Sequence, residues 1–167
     1  MLAVTAGGHA AAVTEPLLGG APAPVRAAIC VSGALAGFGD LDAQAAAAGW
    51  AAVSHDAPTS PESRFLGAPL PAAADDLCRR ADASAYVTAA TAPCKVYHGD
   101  ADPVVPSDQA KAFFCKLYEA TPGAATKHRV RVLAGAGHGT RHFAAPAVLD
   151  DQRAFLDAAL ARGAAGA

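Results

Sequence analysis

The chain has 167 residues, enough for one domain with a sizeable core. Its formal net charge is -2 and no basic cluster stands out, which argues against nucleic acid or an anionic membrane as the main partner. Hydrophobic residues make up 53% of the chain, so intrinsic disorder is not expected, and no apolar run is long enough to span a bilayer. We expect a small, neutral or modestly polar ligand.

The first half of the chain predicts a tight turn, a short strand and several helices. The turn, at residues 5–8, follows Leu2-Ala3-Val4, which resembles the end of a strand. A continuous apolar run at residues 27–31 predicts a strand covered on both faces. Helices are predicted at residues 9–18, 41–52, 61–66 and 72–80. The last two lie in a stretch interrupted by prolines and charges, residues 55–83, which we interpret as a cap or connector.

Strands and helices alternate in the second half. Strands are predicted at residues 94–97 and 128–133, and helices at residues 107–120 and 147–161, with Ser107 as an N-cap. Apolar residues recur at helical spacing in both helices, so each is expected to cover a sheet. Such alternation implies right-handed crossovers and a parallel sheet. The predicted fold is a single α/β domain over residues 1–167, with three or four parallel strands flanked by helices.

The cysteines and the N-terminus exclude some classes of protein. Cys30, Cys78, Cys94 and Cys115 lack the paired spacing of a zinc site, so no metal is expected. They are predicted to be buried free thiols, with a Cys94–Cys115 disulfide as the alternative. The N-terminal sequence has neither the basic start nor the apolar run of a signal peptide, so a cytoplasmic location is the default expectation.

Two loops that follow strands carry residues suited to hydrolase chemistry. One is His98-Gly99-Asp100-Ala101-Asp102-Pro103-Val104-Val105-Pro106, and the other is Gly135-Ala136-Gly137-His138-Gly139. The carboxyl ends of parallel strands meet at one edge of a sheet, so Asp102 and His138 are predicted as the acid and base of a triad. The alternative for Asp102 is a turn that leads into a helix. Asp100 is expected to fix the turn, His142 to lie on the surface, and His55 and His128 to belong to no functional cluster.

A strand-to-helix turn near the N-terminus completes the order nucleophile, acid, base. The run Ala3-Val4-Thr5-Ala6-Gly7-Gly8-His9 resembles the G-x-S-A-G-G-H elbow of feruloyl and acetyl esterase-like α/β-hydrolases, which are related to prolyl oligopeptidase. Two further segments resemble this branch: Ser60-Pro61-Glu62-Ser63-Arg64-Phe65-Leu66-Gly67 matches S-P-E-S-x-L-L-G, and Ala83-Ser84-Ala85-Tyr86-Val87 matches A-S-P-I-x-Y-V. The Asp102 and His138 loops agree with its acid and base loops.

The resemblance covers nearly the whole chain but only the C-terminal half of the family's domain. It implies Thr5 as nucleophile, Asp102 as acid, His138 as base and the Ala6 amide as one oxyanion donor. Thr5 stands where the family has serine, and its alternative role is to cap the helix. The family's second oxyanion donor comes from an upstream loop that this chain does not supply, and losing such a donor costs about 100- to 1,000-fold in turnover.

The resemblance implies hydrolysis of a small carboxylic ester without a cofactor. Acetylated or feruloylated carbohydrates, small acyl esters and an N-formyl amide are the substrate classes it suggests. The second hypothesis is a truncated or degenerate, non-catalytic fragment. Such a fragment would pair through an exposed sheet edge with a missing half or with another copy of itself.

Overall fold

The structure, a computed structural model, describes residues 25–50, 53–70, 73, 75–121, 127–139 and 141–164. These residues form a parallel sheet in the order β1-β2-β3, with β1 at Ala28–Val31, β2 at Cys94–Gly99 and β3 at Arg129–Leu133. The helices are α1 (Leu41–Ala47), α2 (Pro61–Leu66), α3 (Asp75–Ala81), α4 (Asp108–Ala120) and α5 (Pro146–Ala164). Short 3-10 helices span Phe38–Asp40 and Ala83–Tyr86. The turn predicted at residues 5–8 and the helix at 9–18 lie outside the described residues.

β2 is the central strand, and every one of its residues is buried. Cys94 and Val96 face a core cluster that contains Phe113 of α4. The alternate residue Tyr97 faces a second cluster, which contains Val148 of α5. Helices therefore cover both faces of the sheet, as expected for strands joined by right-handed crossovers. The predicted α/β class and the parallel sheet flanked by helices are confirmed.

α4 has the amphipathic pattern that the sequence predicted. Ala110, Phe113 and Leu117 recur on one face of the helix and are fully buried, whereas Tyr118 is 51% exposed. Ser107 lies at the predicted N-cap position of α4, but its side chain makes no capping hydrogen bond. Ser107 has a helical backbone, with φ -61° and ψ -16°, and an N-cap side chain bonds the following amides only from an extended backbone.

The helix boundaries differ from their predictions where local geometry intervenes. α1 ends at Ala47 and not at residue 52, because Gly49 adopts φ +80° and Trp50 N–H donates to Ala45 O at 2.8 Å. α2 has its predicted bounds, with Ser60 Oγ accepting from Ser63 N at 3.0 Å at its start. α3 begins later than predicted, and α5 extends beyond its predicted range at both ends.

All four cysteines are free, so the alternative Cys94–Cys115 disulfide is absent. Cys94 is buried, and burial raises the pKa of its thiol to about 12. Burial also raises the pKa of Cys30, which lies on β1 beside β2. The expectation of burial holds for Cys94, is met only in part by Cys30 and Cys78, and is wrong for Cys115, whose position on α4 faces solvent. The two strand cysteines act as packing residues, since a thiol with a raised pKa is a weak nucleophile.

The sheet edge at β1 bears on the predicted self-association. Among the described residues β1 pairs with β2 alone, and Val31 is 40% exposed. Association through this edge stays a prediction. None of the helices in the described parts of the chain combines the length and the hydrophobicity that a membrane crossing requires.

Candidate active site

Asp102 lies in the loop after β2, with only 1% of its surface exposed. Its Oδ1 accepts hydrogen bonds from the backbone N–H of Val104 at 2.9 Å and of Val105 at 3.0 Å. The residue closes a turn with its own side chain, which is the geometry of the helix-leading turn considered as its alternative role. That turn uses only one carboxylate oxygen, so Oδ2 remains available for a second partner.

The second partner of Asp102 is His138, in the loop after β3. His138 Nδ1 lies 2.9 Å from Asp102 Oδ2, and the His138 side chain is 38% exposed. A carboxylate accepts only, so Nδ1 carries the proton in this pair, and the neutral ring then has Nε2 as its acceptor nitrogen. A buried carboxylate thus holds a solvent-accessible imidazole in the tautomer that a general base requires.

The acid loop and the base loop are joined to each other by backbone hydrogen bonds. Ala101 N–H donates to Ala136 O at 3.0 Å, and Gly135 N–H donates to Asp100 Oδ1 at 2.7 Å. The Asp100 side chain thus bonds the base loop, and its expected role in fixing its own turn stays a prediction. At Gly99 a Cβ would lie 2.0 Å from Ala136 O, so only glycine permits this approach. The spacing between Asp102 and His138 is therefore set by the backbones that carry them.

Two buried histidines border the acid loop. His98 Nε2 lies 2.8 Å from Val105 O and 3.2 Å from Asp102 Oδ2, and its side chain is fully buried. His55 Nε2 lies 2.7 Å from Val104 O, and the residue is 1% exposed. His55 therefore contacts the acid loop, whereas the expectation that it belongs to no functional cluster stays a prediction. Val104 lies 49 residues from His55 in the sequence, so neither spacing nor periodicity indicated this contact.

The predicted site residues divide into two groups. The structure brings Asp102 and His138 together, whereas Thr5 and Ala6 lie outside the described residues. The roles of Thr5 as nucleophile and of the Ala6 amide as oxyanion donor stay predictions. His142, four residues beyond His138, is exposed as expected. Across the described ranges, no three His, Cys, Asp or Glu side chains are grouped so that they could hold a metal ion.

A cavity of about 300 Å³, shallow and widely open to solvent, lies between the loop after β1 and helix α2. Its lining is mostly apolar: Ala34, Phe38, Pro61, Glu62, Phe65 and Ala81. The Phe38 and Phe65 rings are tilted against each other, with their centroids 6.2 Å apart. Glu62 connects this cavity to the acid loop, because its Oε1 lies 3.2 Å from Nδ1 of His55.

A parallel sheet with helices on both faces, and a buried carboxylate paired with a histidine in the loops after its strands, are features of the α/β-hydrolase fold. The chain matches the BD-FAE family model over residues 4–117. Because this match spans more than half of the chain, the protein belongs to the BD-FAE family, a feruloyl esterase-like domain of the α/β-hydrolase superfamily. The matched region includes Asp102 and ends before His138. A search of the curated proteins found no match.

Proposed function

We propose that this protein hydrolyses carboxylic esters by acyl transfer, with Asp102 and His138 as two members of its triad. The observation that carries the proposal is the 2.9 Å distance between His138 Nδ1 and the buried Oδ2 of Asp102. Membership of an esterase-type family supports the same chemistry. A carboxylate–histidine pair alone is compatible with several reactions, and membership of an esterase-type family favours acyl transfer.

The proposed mechanism has two half-reactions. His138 Nε2 takes the proton of the Thr5 hydroxyl as its oxygen attacks the ester carbonyl, and the Ala6 amide donates to the oxyanion. Collapse of this intermediate expels the alcohol, which leaves with the proton from His138, and the acyl group remains on Thr5. Water then attacks the acyl-enzyme, with His138 again as base, and the carboxylic acid is released. Asp102 stabilises the charged imidazole in both halves and stays ionised.

The cavity beside helix α2 supports a small ester with an apolar part as the substrate. Its walls include Phe38 and Phe65, and aromatic and aliphatic linings of this kind bind apolar groups. Glu62 supplies a carboxylate at the same wall. We infer that the cavity takes the acyl or the alcohol part of the ester.

Hydrolysis of a small aryl ester, p-nitrophenyl acetate, tests the proposal. We expect His138→Ala to reduce turnover to the level of the uncatalysed reaction, since no other group then takes the nucleophile's proton. His142→Ala is the matched control, because His142 is an exposed histidine of the same loop region, and it should retain wild-type turnover. Equal turnover in wild type and His138→Ala would remove His138 from the mechanism.

The nucleophile is tested by two substitutions at Thr5. Thr5→Ala should abolish acyl transfer, and Thr5→Ser should raise turnover, because serine lacks the methyl group that restricts χ1 of threonine. Electrospray mass measurement during turnover would show the acetyl group attached to wild type and absent from Thr5→Ala. Acetylation of the Thr5→Ala protein at the same rate would contradict the assignment of Thr5.

A further inference from the structure

The peptide group between Val104 and Val105 is hydrogen-bonded at both of its ends. Its carbonyl, Val104 O, lies 2.7 Å from Nε2 of His55. Its N–H, on Val105, donates to Asp102 Oδ1 at 3.0 Å. A donor on the oxygen of an amide polarises the amide and strengthens the bond that its N–H makes. One peptide group therefore connects His55 to the carboxylate that holds His138.

The His55 ring is held in a fixed place by its own backbone. His55 N–H donates to Asp42 Oδ1 at 2.6 Å, and Ser60 Oγ donates to His55 O at 2.6 Å. Asp42 belongs to α1, and Ser60 is the residue that caps α2. Two helices thus fix the peptide groups on either side of the ring. Because a carbonyl only accepts, Nε2 is the nitrogen of His55 that carries a proton toward Val104 O.

The opposite side of the ring faces Glu62. Glu62 Oε1 lies 3.2 Å from His55 Nδ1, outside the alignment of a hydrogen bond, and the Glu62 side chain is 13% exposed. Ser60 and Glu62 both belong to the segment Ser60-Pro61-Glu62-Ser63, for which the sequence offers a family resemblance and no chemical role. In the structure Ser60 bonds the His55 carbonyl and Glu62 faces Nδ1, while Nε2 is directed to Val104 O of the acid loop.

We propose that His55 is a positioning residue for Asp102, acting through the Val104–Val105 peptide group and, through Asp102, on the tautomer of His138. Asp102 accepts from both sides: His55 Nε2–H donates to Val104 O, Val105 N–H donates to Asp102 Oδ1, and His138 Nδ1–H donates to Asp102 Oδ2. His98 differs, because its Nε2 lies within 3.2 Å of the carboxylate itself. The consequence for turnover rests on the proposed esterase function, whereas the consequence for the His138 ring does not.

Two amide substitutions separate this role from a packing role. In His55→Gln the side-chain NH₂ reaches the place of Nε2 and still donates to Val104 O. In His55→Asn the shorter amide reaches only the place of Nδ1, so it faces Glu62 and leaves Val104 O without its donor. The pair shares charge, polarity and hydrogen-bonding groups, and it differs in the hydrogen bond to Val104 O.

The readout is the ¹⁵N chemical shifts of the His138 ring, measured on the full chain through its carbon-bound protons. At a pH where the ring is neutral, wild type and His55→Gln should both show the Nδ1–H tautomer that Asp102 selects. In His55→Asn the Nδ1 and Nε2 shifts should move toward those of a free imidazole, because the carboxylate is held less firmly. Phe155→Leu, a core substitution on α5 away from these residues, is the control for lowered stability and should leave the His138 shifts unchanged.

Either of two results would overturn the proposal. One is a His55→Asn protein whose His138 shifts equal those of wild type, and the other is a His55→Gln protein whose shifts move as far as those of His55→Asn. In ester hydrolysis we expect His55→Asn to lower kcat about five- to tenfold at unchanged KM, the effect of losing one neutral hydrogen bond. A wild-type chain without esterase activity would count against the proposed function and leave the ¹⁵N result as the test of His55.

Discussion

The two oxygens of Asp102 have separate tasks. Oδ1 accepts from the amides of Val104 and Val105, and Oδ2 faces Nδ1 of His138 and Nε2 of His98. The Oδ1 hydrogen bonds shape the loop, and the Oδ2 interactions orient the base. A substitution that removes only the Oδ2 interactions should therefore lower activity with little change in the free energy of unfolding, whereas one that also removes the Oδ1 hydrogen bonds should lower both.

Asp102→Asn and Asp102→Ala are expected to give different losses. Asparagine keeps an oxygen for the two backbone amides and turns its NH₂ toward His138, so the loop keeps its hydrogen bonds while the ring takes the wrong tautomer. Turnover should fall about 10⁴-fold. Alanine leaves both amides without their acceptor and should lower the free energy of unfolding by about 2–4 kcal/mol. Urea unfolding and ester hydrolysis of both variants measure this. Equal stability of the Ala and Asn variants would show that Oδ1 does not hold the loop.

The absence of a side chain at Gly99 allows the loop that carries His138 to pack against β2. A methyl group at this position would meet the carbonyl of Ala136, which is backbone and cannot rotate away. We expect Gly99→Ala to displace the loop that carries His138 and to destabilise the fold by at least about 2 kcal/mol, the magnitude of overpacking in a tightly packed place. Gly137→Ala is the matched control, since its nearest neighbour would be Ala101 O at an ordinary 3.6 Å.

The hydrogen bond between His138 and Asp102 is the readout that links Gly99 to the site. A crystal structure of Gly99→Ala should show the base loop moved away from β2 and the 2.9 Å hydrogen bond broken, whereas Gly137→Ala should keep this bond. Equal melting temperatures for Gly99→Ala and Gly137→Ala would mean that the acid loop and the base loop can move apart without lowering the stability of the fold. That result would contradict a site whose geometry is set by backbone packing.

At the scale of elements, Asp151 fixes helix α5 to the sheet. Its carboxylate accepts from Lys95, from Tyr97 Oη at 2.9 Å and from Arg131 Nη1 at 2.8 Å. The bond from Lys95 is the main cause that holds the pKa of Asp151 at about 2, against the opposing effect of burial. Burial and the same carboxylate raise the pKa of Tyr97. β2, β3 and α5 therefore meet at one charged cluster on the face of the sheet opposite α4.

We expect Asp151→Asn to lower the free energy of unfolding at neutral pH by about 1–2 kcal/mol, a value that allows for partial exposure of the carboxylate. Because the pKa is lowered in the folded state, this contribution is complete above the unfolded value near 3.8 and is lost as the pH falls through about 2. Wild type and variant should thus converge in stability between these pH values. Asp150→Asn is the control, because Asp150 pairs with Arg153 at an exposed site and should not change stability.

The sequence predicted local patterns well and long-range side-chain pairs poorly. The three described strands, the bounds of α2 and the meeting of Asp102 with His138 follow from periodicity, from Ser60-Pro61 at a helix start and from the geometry of parallel strands. The hydrogen bond of His55 with Val104 joins residues 49 apart, and that of Lys95 with Asp151 joins residues 56 apart. Such pairs depend on how elements pack, and no motif or spacing encodes them.

At the scale of the whole molecule, His128 connects folding to pH. The residue is 3% exposed, directly before β3, and its Nδ1 accepts from Cys94 N–H at 3.2 Å. Burial, with Lys127 and Arg129 beside it, lowers the pKa of His128 to about 4. The folded protein thus keeps this imidazole neutral under conditions in which the unfolded chain protonates it.

The free energy of unfolding should therefore fall as the pH drops from about 6.5 to about 4, because the unfolded state binds one more proton than the folded state in this range. The total decrease should be up to about 3 kcal/mol. His128→Asn keeps an acceptor for the Cys94 amide and removes the titration, so its stability should depend less on pH across this interval. His142→Asn, at an exposed histidine, should retain the wild-type slope. Urea unfolding at half-unit pH steps measures all three proteins.

The pH ranges of His128 and Asp151 are adjacent, so one titration of stability can assign both. A loss of stability between pH 6.5 and 4 is due to His128 if it persists in Asp151→Asn and disappears in His128→Asn. A loss of stability below pH 4 is due to Asp151 if it persists in His128→Asn and disappears in Asp151→Asn. Both residues bond to β2, His128 at Cys94 and Asp151 at Lys95, so each range reports on the attachment of the central strand to a different neighbour. A His128→Asn protein with the wild-type slope above pH 4 would show that the folded and unfolded states protonate this imidazole alike, and the stated origin of acid lability would then be wrong.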